Sequence, residues 1–151
     1  MAQTQTLQVS SFAFDKNAPI PPNYTCDGDN INPPLRIGDI PENAESLVII
    51  LEDPDAPKGT FTHWMVWGMP PRPNIEENSE PDGVTGPNGF GENKYMGPCP
   101  PSGEEHRYFF KVHALDSKAN LDPGSTREAL EAFLGEKTIA YGELMGTYKK
   151  S

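Results

Sequence analysis

The chain has 151 residues, enough for one domain with a sizeable core and too few for two ordinary ones, so a single domain over 1–151 is expected. Its net charge of −10 repels polyanions and anionic bilayers, which argues against nucleic acid as a partner. No stretch approaches the ~20 apolar residues of a membrane span, while 17 prolines favour many turns and few helices.

The opening stretch MAQTQTLQVSSFAF has neither a basic n-region nor an apolar h-region, so a soluble, cytoplasmic protein without stable membrane insertion is expected. Leu7 and Val9, then Phe12 and Phe14 after a break in phase at Ser10-Ser11, predict an edge strand with a bulge or bend. From Asp15 to Pro34 the prolines and glycine exclude regular structure through most of the segment. Asp27 to Asn32 resembles a calcium loop only superficially: Ile31 and Asn32 fall where an oxygen ligand and a glycine are needed. Cys26 and Cys99 have no zinc-site spacing and are too few for a disulfide scaffold. One disulfide between them is compatible with the sequence.

Leu35 and Ile37 predict a short strand. The run Leu47-Val48-Ile49-Ile50-Leu51, without alternation, predicts a strand covered on both faces and central in its sheet. It runs into Asp53-Pro54-Asp55-Ala56-Pro57, where each proline fixes its own φ and pushes the preceding residue towards extended geometry. The chain returns through His63 into a strand ending near Met69. Period two there places His63, Met65, Trp67 and Met69 on one face, with Trp64 and Val66 on the other. Residues 70–103 form a long irregular region of the kind that is functional or hides short strands.

GPCPPSG then leads into the clearest strand, His106 to Leu115. His106, Tyr108, Phe110, Val112 and Ala114 share one face; Arg107, Phe109, Lys111, His113 and Leu115 share the other. Ser125 with Glu128 reads as a capping box, and Gly135 as a stop, for one helix over 126–134. Thr138 to Lys149 alternates as a last strand, with Ala140, Leu144 and Tyr148 on one face.

Two loci share a plan: a proline-gated turn followed by a histidine at the mouth of a strand. Their convergence would bring Asp53, Asp55, His63, His106 and Tyr108 into one pocket. Two carboxylates would orient two imidazoles, which they favour as imidazolium, and a phenol would donate a hydrogen bond. Such a niche attracts an anion. His113, on the opposite face, reads as structural, and Arg107 as a brace for the surrounding loops.

LEDPDAPKGTFTHWMVWGMP together with GPCPPSGEEHRYFFKVHALD resembles the two signature regions of the phosphatidylethanolamine-binding proteins, the group that includes Raf kinase inhibitor proteins. YTCDGDNINPPLRIGDIP and ELMGTY resemble the bacterial and archaeal branch, so the similarity spans essentially the whole chain. One departure is Gly135-Glu136, where that branch usually has Gly-His. The resemblance implies a mainly β fold, an antiparallel β-sandwich of a larger and a smaller sheet with one or two peripheral helices. It also implies a small cavity for phosphate-like anions formed by Asp53, Asp55, His63, His106 and Tyr108, with Pro101 on the rim.

The expected function is therefore non-enzymatic binding of a phosphate-bearing group such as a phospholipid head group, without metal or other cofactor. The resemblance also permits a kinase or serine protease as a protein partner, and a homodimer. A metal-assisted phosphoesterase is the enzymatic alternative, but the sequence carries no HExxH pair, nucleophile elbow or phosphate loop to favour it.

Overall fold

A computed structural model describes residues 4–150. It contains nine strands: β1 (Gln5–Thr6), β2 (Gln8–Ser10), β3 (Leu35–Gly38), β4 (Ser46–Asp53), β5 (Phe61–Met69), β6 (Asn74–Ile75), β7 (Val84–Thr85), β8 (Glu105–Leu115) and β9 (Thr138–Lys149). One helix, α1 (Arg127–Lys137), and a 3-10 turn at Pro22–Tyr24 complete the regular structure. The fold is mainly β, with a six-stranded sheet ordered β1-β9-β8-β4-β5-β7 and a three-stranded sheet ordered β2-β3-β6. Pairing is antiparallel except at β1, which runs parallel to β9.

β4 lies between β5 and β8, and all eight of its residues are buried. Its unbroken apolar run serves two cores. Leu47, Ile49 and Leu51 face the sandwich interior with Ile37, Ile75, Phe110 and Val112. Val48 and Ile50 face the other side, with Met65, Trp67, Leu115 and the helix residues Leu130 and Leu134. The long irregular region holds the two short strands β6 and β7, which pair with β3 and β5.

The structure departs from the pattern-based expectations in four places. The first strand is divided: the chain leaves the large sheet after β1 and joins the small sheet as β2, while buried Leu7 lies across Gly142, where a Cβ would fall 2.3 Å from the Leu7 carbonyl oxygen. Pairing ends at Ser10, so Phe12 is exposed and Phe14 buried. The helix is capped by Thr126, whose hydroxyl accepts from the Ala129 amide; the third helical position is thus Ala129, and a capping box from Ser125 to Glu128 does not form. Gly135 stays helical, and the Thr138 hydroxyl closes the last turn on the Leu134 carbonyl.

The fourth departure positions the site. β5 carries two register shifts against β4. At the far end Leu47 pairs Met69 and Ile49 pairs Val66, an extra residue accommodated by Gly68 at φ +69°. Met69 therefore turns into the sandwich interior instead of joining Met65 and Trp67. At the near end Leu51 pairs Trp64 while Glu52 pairs Thr62, which leaves His63 as the bulged residue. The bulge re-aims the imidazole to the face that Tyr108 occupies.

Candidate functional site

Asp53 ends β4 almost completely buried, and both its oxygens are engaged. Oδ1 accepts from the Asp55 amide at 2.8 Å, folding the Asp-Pro turn back on itself, and Oδ2 accepts from His106 Nδ1 at 2.7 Å. His106 is 3% exposed at the start of β8. Burial by itself disfavours its charged form, but the hydrogen bonds to Asp53 and Glu104 outweigh that and raise its pKa. With Nδ1 held by Asp53, the nitrogen left for other partners is Nε2, which lies 3.3 Å from Glu104 Oε1.

His63 is held differently. Its Nδ1 donates to the Met96 carbonyl at 2.8 Å, and the Met96 amide donates to the His63 carbonyl at 3.1 Å. Burial lowers its pKa, so it rests neutral with its proton on Nδ1 and Nε2 as an acceptor. The expectation of two carboxylate-held imidazolium rings is corrected here: Asp53 holds one, and a backbone carbonyl holds the other.

Tyr108 packs against both rings, edge-on to His63 with centroids 5.5 Å apart and stacked near His106 at 6.5 Å. It is fully buried and its hydroxyl has no hydrogen-bond partner. Burial, and then the charge of Asp53, raise its pKa, so the phenol keeps its proton.

Asp55 does not orient an imidazole. Its Oδ2 accepts from the Arg107 amide and Nε, each at 2.9 Å, and its Oδ1 from Arg107 Nη2 at 2.8 Å. The guanidinium lowers its pKa to about 2. Asp55 and Arg107 pin the Asp-Pro turn to β8, and neither lines the cavity beside the histidines.

That cavity has a volume of about 320 Å³, within the range of small-ligand sites. Asp53, His63 and His106 line its polar end, and Pro57, Phe61, Phe90, Met96, Pro100 and Pro101 supply most of its apolar wall. The aromatic rim depends on close backbone approach: a Cβ on Gly89 would sit 2.3 Å from the Phe61 ring, and with glycine there Phe90 stands 5.0 Å from Phe61.

Cys99 also lines the cavity and is disulfide-bonded to Cys26, which resolves the pairing that the sequence left open. The bond closes a loop of 73 residues, a constraint worth about 2–4 kcal/mol. It fastens the 95–99 segment to the 24–30 loop beside Cys26 N–H to Pro98 O, Gly97 N–H to Asn30 Oδ1 and Tyr95 O–H to Tyr24 O.

Sequence reasoning missed Met96, Phe61, Phe90 and Glu104. A backbone acceptor such as the Met96 carbonyl leaves no sequence signal. Glu104 did leave one, since it precedes His106 by two residues at a strand entrance, where alternate side chains share a face. Among the described residues no three His, Cys, Asp or Glu side chains are grouped to hold a metal ion, and no helix is long and apolar enough to cross a membrane.

Residues 10–149 match the family model described as phosphatidylethanolamine-binding protein. A UPF0098 protein of Pyrococcus abyssi is 48% identical over 155 aligned positions, covering 97% of this chain and 86% of its own length. A UPF0098 protein of Aquifex aeolicus is 42% identical, with 95% and 89% covered. Two crystal structures share the fold. A phosphatidylethanolamine-binding protein homolog from Chlamydia trachomatis has a TM-score of 0.92 at 41% identity, covering 98% of this chain and all of its own. YbcL of E. coli, described as a member of the mammalian family, has 0.88 at 29% identity, covering 96% and 99%. With the motifs, the two-sheet fold and these relatives in agreement, the chain belongs to the phosphatidylethanolamine-binding protein family.

Proposed function

We propose that this protein is a non-enzymatic binder of a phosphate-type anion, taken into the cavity at His63 and His106, with the Tyr108 phenol packed behind both rings. The observation that carries the reading is the pairing of His106 Nε2, set between carboxylates on a ring that lines the cavity, with the hydroxyl of Tyr108, which makes no hydrogen bond and lies buried against both imidazole rings without itself lining the cavity. A buried hydroxyl without a partner costs about 1–3 kcal/mol, and an anion oxygen, or a water held by it, would remove that cost. His63 adds an acceptor, which suits a protonated phosphate oxygen or takes up a proton as the anion arrives.

The commitment of both carboxylates supports binding over turnover, and leaves His63 Nε2 as the base that meets the anion. Asp53 uses both oxygens on its own turn and on His106, and Asp55 is taken by Arg107, so neither carboxylate is free to activate water or a nucleophile. Charge-assisted hydrogen bonds of about 1.5–3 kcal/mol each, less the cost of immobilising a small ion, give roughly millimolar to micromolar affinity for the anion alone. The apolar rim is the place for the rest of a larger ligand. The family name points to an ethanolamine phospholipid head group; a free phosphate and a phosphorylated side chain share the chemistry this pocket recognises.

Titrating inorganic phosphate at near-neutral pH while following the ring nitrogens by NMR tests the reading. The signals of His63 and His106 should move saturably, and Tyr108→Phe should weaken binding by about three- to tenfold. Ring signals unmoved at millimolar phosphate would refute it.

A further inference from the structure

The donor an anion needs at this cavity is already engaged by the protein. Glu104 Oε1 lies 3.3 Å from His106 Nε2, and no other hydrogen bond or ion pair involving the Glu104 side chain is present among the described residues. Its backbone is fixed: the Glu104 amide donates to the Pro101 carbonyl and the Gly103 amide to the Lys150 carbonyl, with Gly103 at φ +83° in the turn. The side chain itself is 56% exposed, in contrast to 4% for His106. An anchored backbone carrying a solvent-exposed carboxylate against a buried imidazole is the geometry of a displaceable occupant.

We propose that Glu104 is an intrinsic competitor for the anion site, a carboxylate that holds the His106 donor until a ligand displaces it and that thereby sets which ligands succeed. This rests on the anion-binding reading above. Displacement has two consequences. The incoming group must outcompete a tethered carboxylate, so a weak monodentate anion is rejected. The displaced side chain stays near the mouth because its backbone does not move, so its negative charge continues to oppose the ligand, more strongly the more charge the ligand carries.

The groups facing His106 separate this role from simple structural support. Asp53 approaches from β4, His63 from β5, Tyr108 from the same strand and Glu104 from the preceding turn. Removing the Glu104 charge leaves Asp53 in place, so His106 stays oriented. Its titration midpoint falls because one of two carboxylates is gone.

The test compares Glu104→Gln with Glu105→Gln, an exposed neighbour that removes the same net charge without touching His106. Inorganic phosphate at pH 7 should bind Glu104→Gln about three- to tenfold more tightly than wild type, and Glu105→Gln within about twofold of it. The His106 ring nitrogens should titrate at lower pH in Glu104→Gln alone. Equal tightening by both variants would mean that only overall charge matters, and unchanged or weaker binding by Glu104→Gln would mean that Glu104 is a bystander or a contact; either overturns the competitor role while leaving the anion site standing. Wild type, Glu104→Gln and Glu105→Gln all failing to respond to phosphate would instead remove the anion-binding reading, and the competitor with it.

Discussion

Glu52 and Asp53 are neighbours at the end of β4, and they illustrate two ways of burying a charge. Glu52 points to the helix side, where Lys111 Nζ at 3.1 Å and Arg127 Nη2 at 2.5 Å enclose its carboxylate, and Arg127 also donates to the Thr62 hydroxyl. Asp53 points to the sandwich side, where its imidazole partner lines a cavity and packs on the buried Tyr108 phenol, whose hydroxyl makes no hydrogen bond. Burial and charge are alike at the two positions. What differs is the partner, since Glu52 is answered by two permanent cations, which themselves flank a separate cavity of about 440 Å³, whereas Asp53 is answered by one titratable imidazole.

The largest expected effects test that difference directly. Glu52→Ala leaves two cations without their buried counter-charge and should cost about 3–5 kcal/mol in urea unfolding, with phosphate affinity nearly unchanged. Asp53→Asn removes the charge that favours His106 as imidazolium and should lower phosphate affinity about tenfold, with a smaller loss of stability. If Glu52→Ala reduced affinity as strongly as Asp53→Asn, the two faces would be one network and the contrast would be lost.

How much of this arrangement was legible in the sequence follows from the same comparison. The faces of β8 were readable because period two runs through it unbroken, so Tyr108 was placed inside, and His113 and Arg107 on the opposite face, from pattern alone. β4 was readable as central because no polar residue interrupts Leu47 to Leu51. The side taken by His63 was not readable, because it depends on a bulge that exists only in the pairing register between Leu51 and Glu52. The fate of Asp55 was hidden for a related reason: Asp53 and Asp55 look equivalent around Pro54, and only the docking of the turn against β8 gives one to a histidine and the other to an arginine. The helix boundaries shifted because Ser125 and Thr126 compete for the same capping role, and Thr126 has the geometry to accept from Ala129.

A smaller effect should separate the histidines of β8 by the sign of their pH dependence. Burial, then Lys111 and Arg127, push the His113 pKa down to about 4, and its ring rests on Tyr141 with Nδ1 against the Thr138 hydroxyl. Unfolded, it titrates near ~6.5. Its contribution to stability is therefore complete above ~6.5 and lost as the pH falls towards 4, where the native ring is forced to charge. His106, with a raised folded pKa, behaves oppositely: its contribution is complete below ~6.5 and lost as the pH rises through the folded value. Urea midpoints measured across this range should show His113→Gln flattening the acid slope and His106→Gln the alkaline one. Identical profiles for the two variants would show that these rings do not sit in opposite electrostatic settings.

The smallest expected effect bears on whether the helix side can be strengthened without touching the histidine side. Gly135 lies inside α1 with ordinary helical backbone, and a Cβ added there would meet nothing within 4 Å. Gly135→Ala should therefore stabilise the protein by about 0.5–1 kcal/mol, by lowering the entropy of the unfolded chain. α1 supplies Arg127 to the Glu52 cluster and packs Leu130 and Leu134 on the outer core, and it contributes no residue to the cavity at His106. Phosphate affinity should stay within error of wild type while the unfolding midpoint rises. A matching change in affinity would mean that strain travels through β4 from one face to the other, and that the Glu52 charge cluster tunes the histidine site.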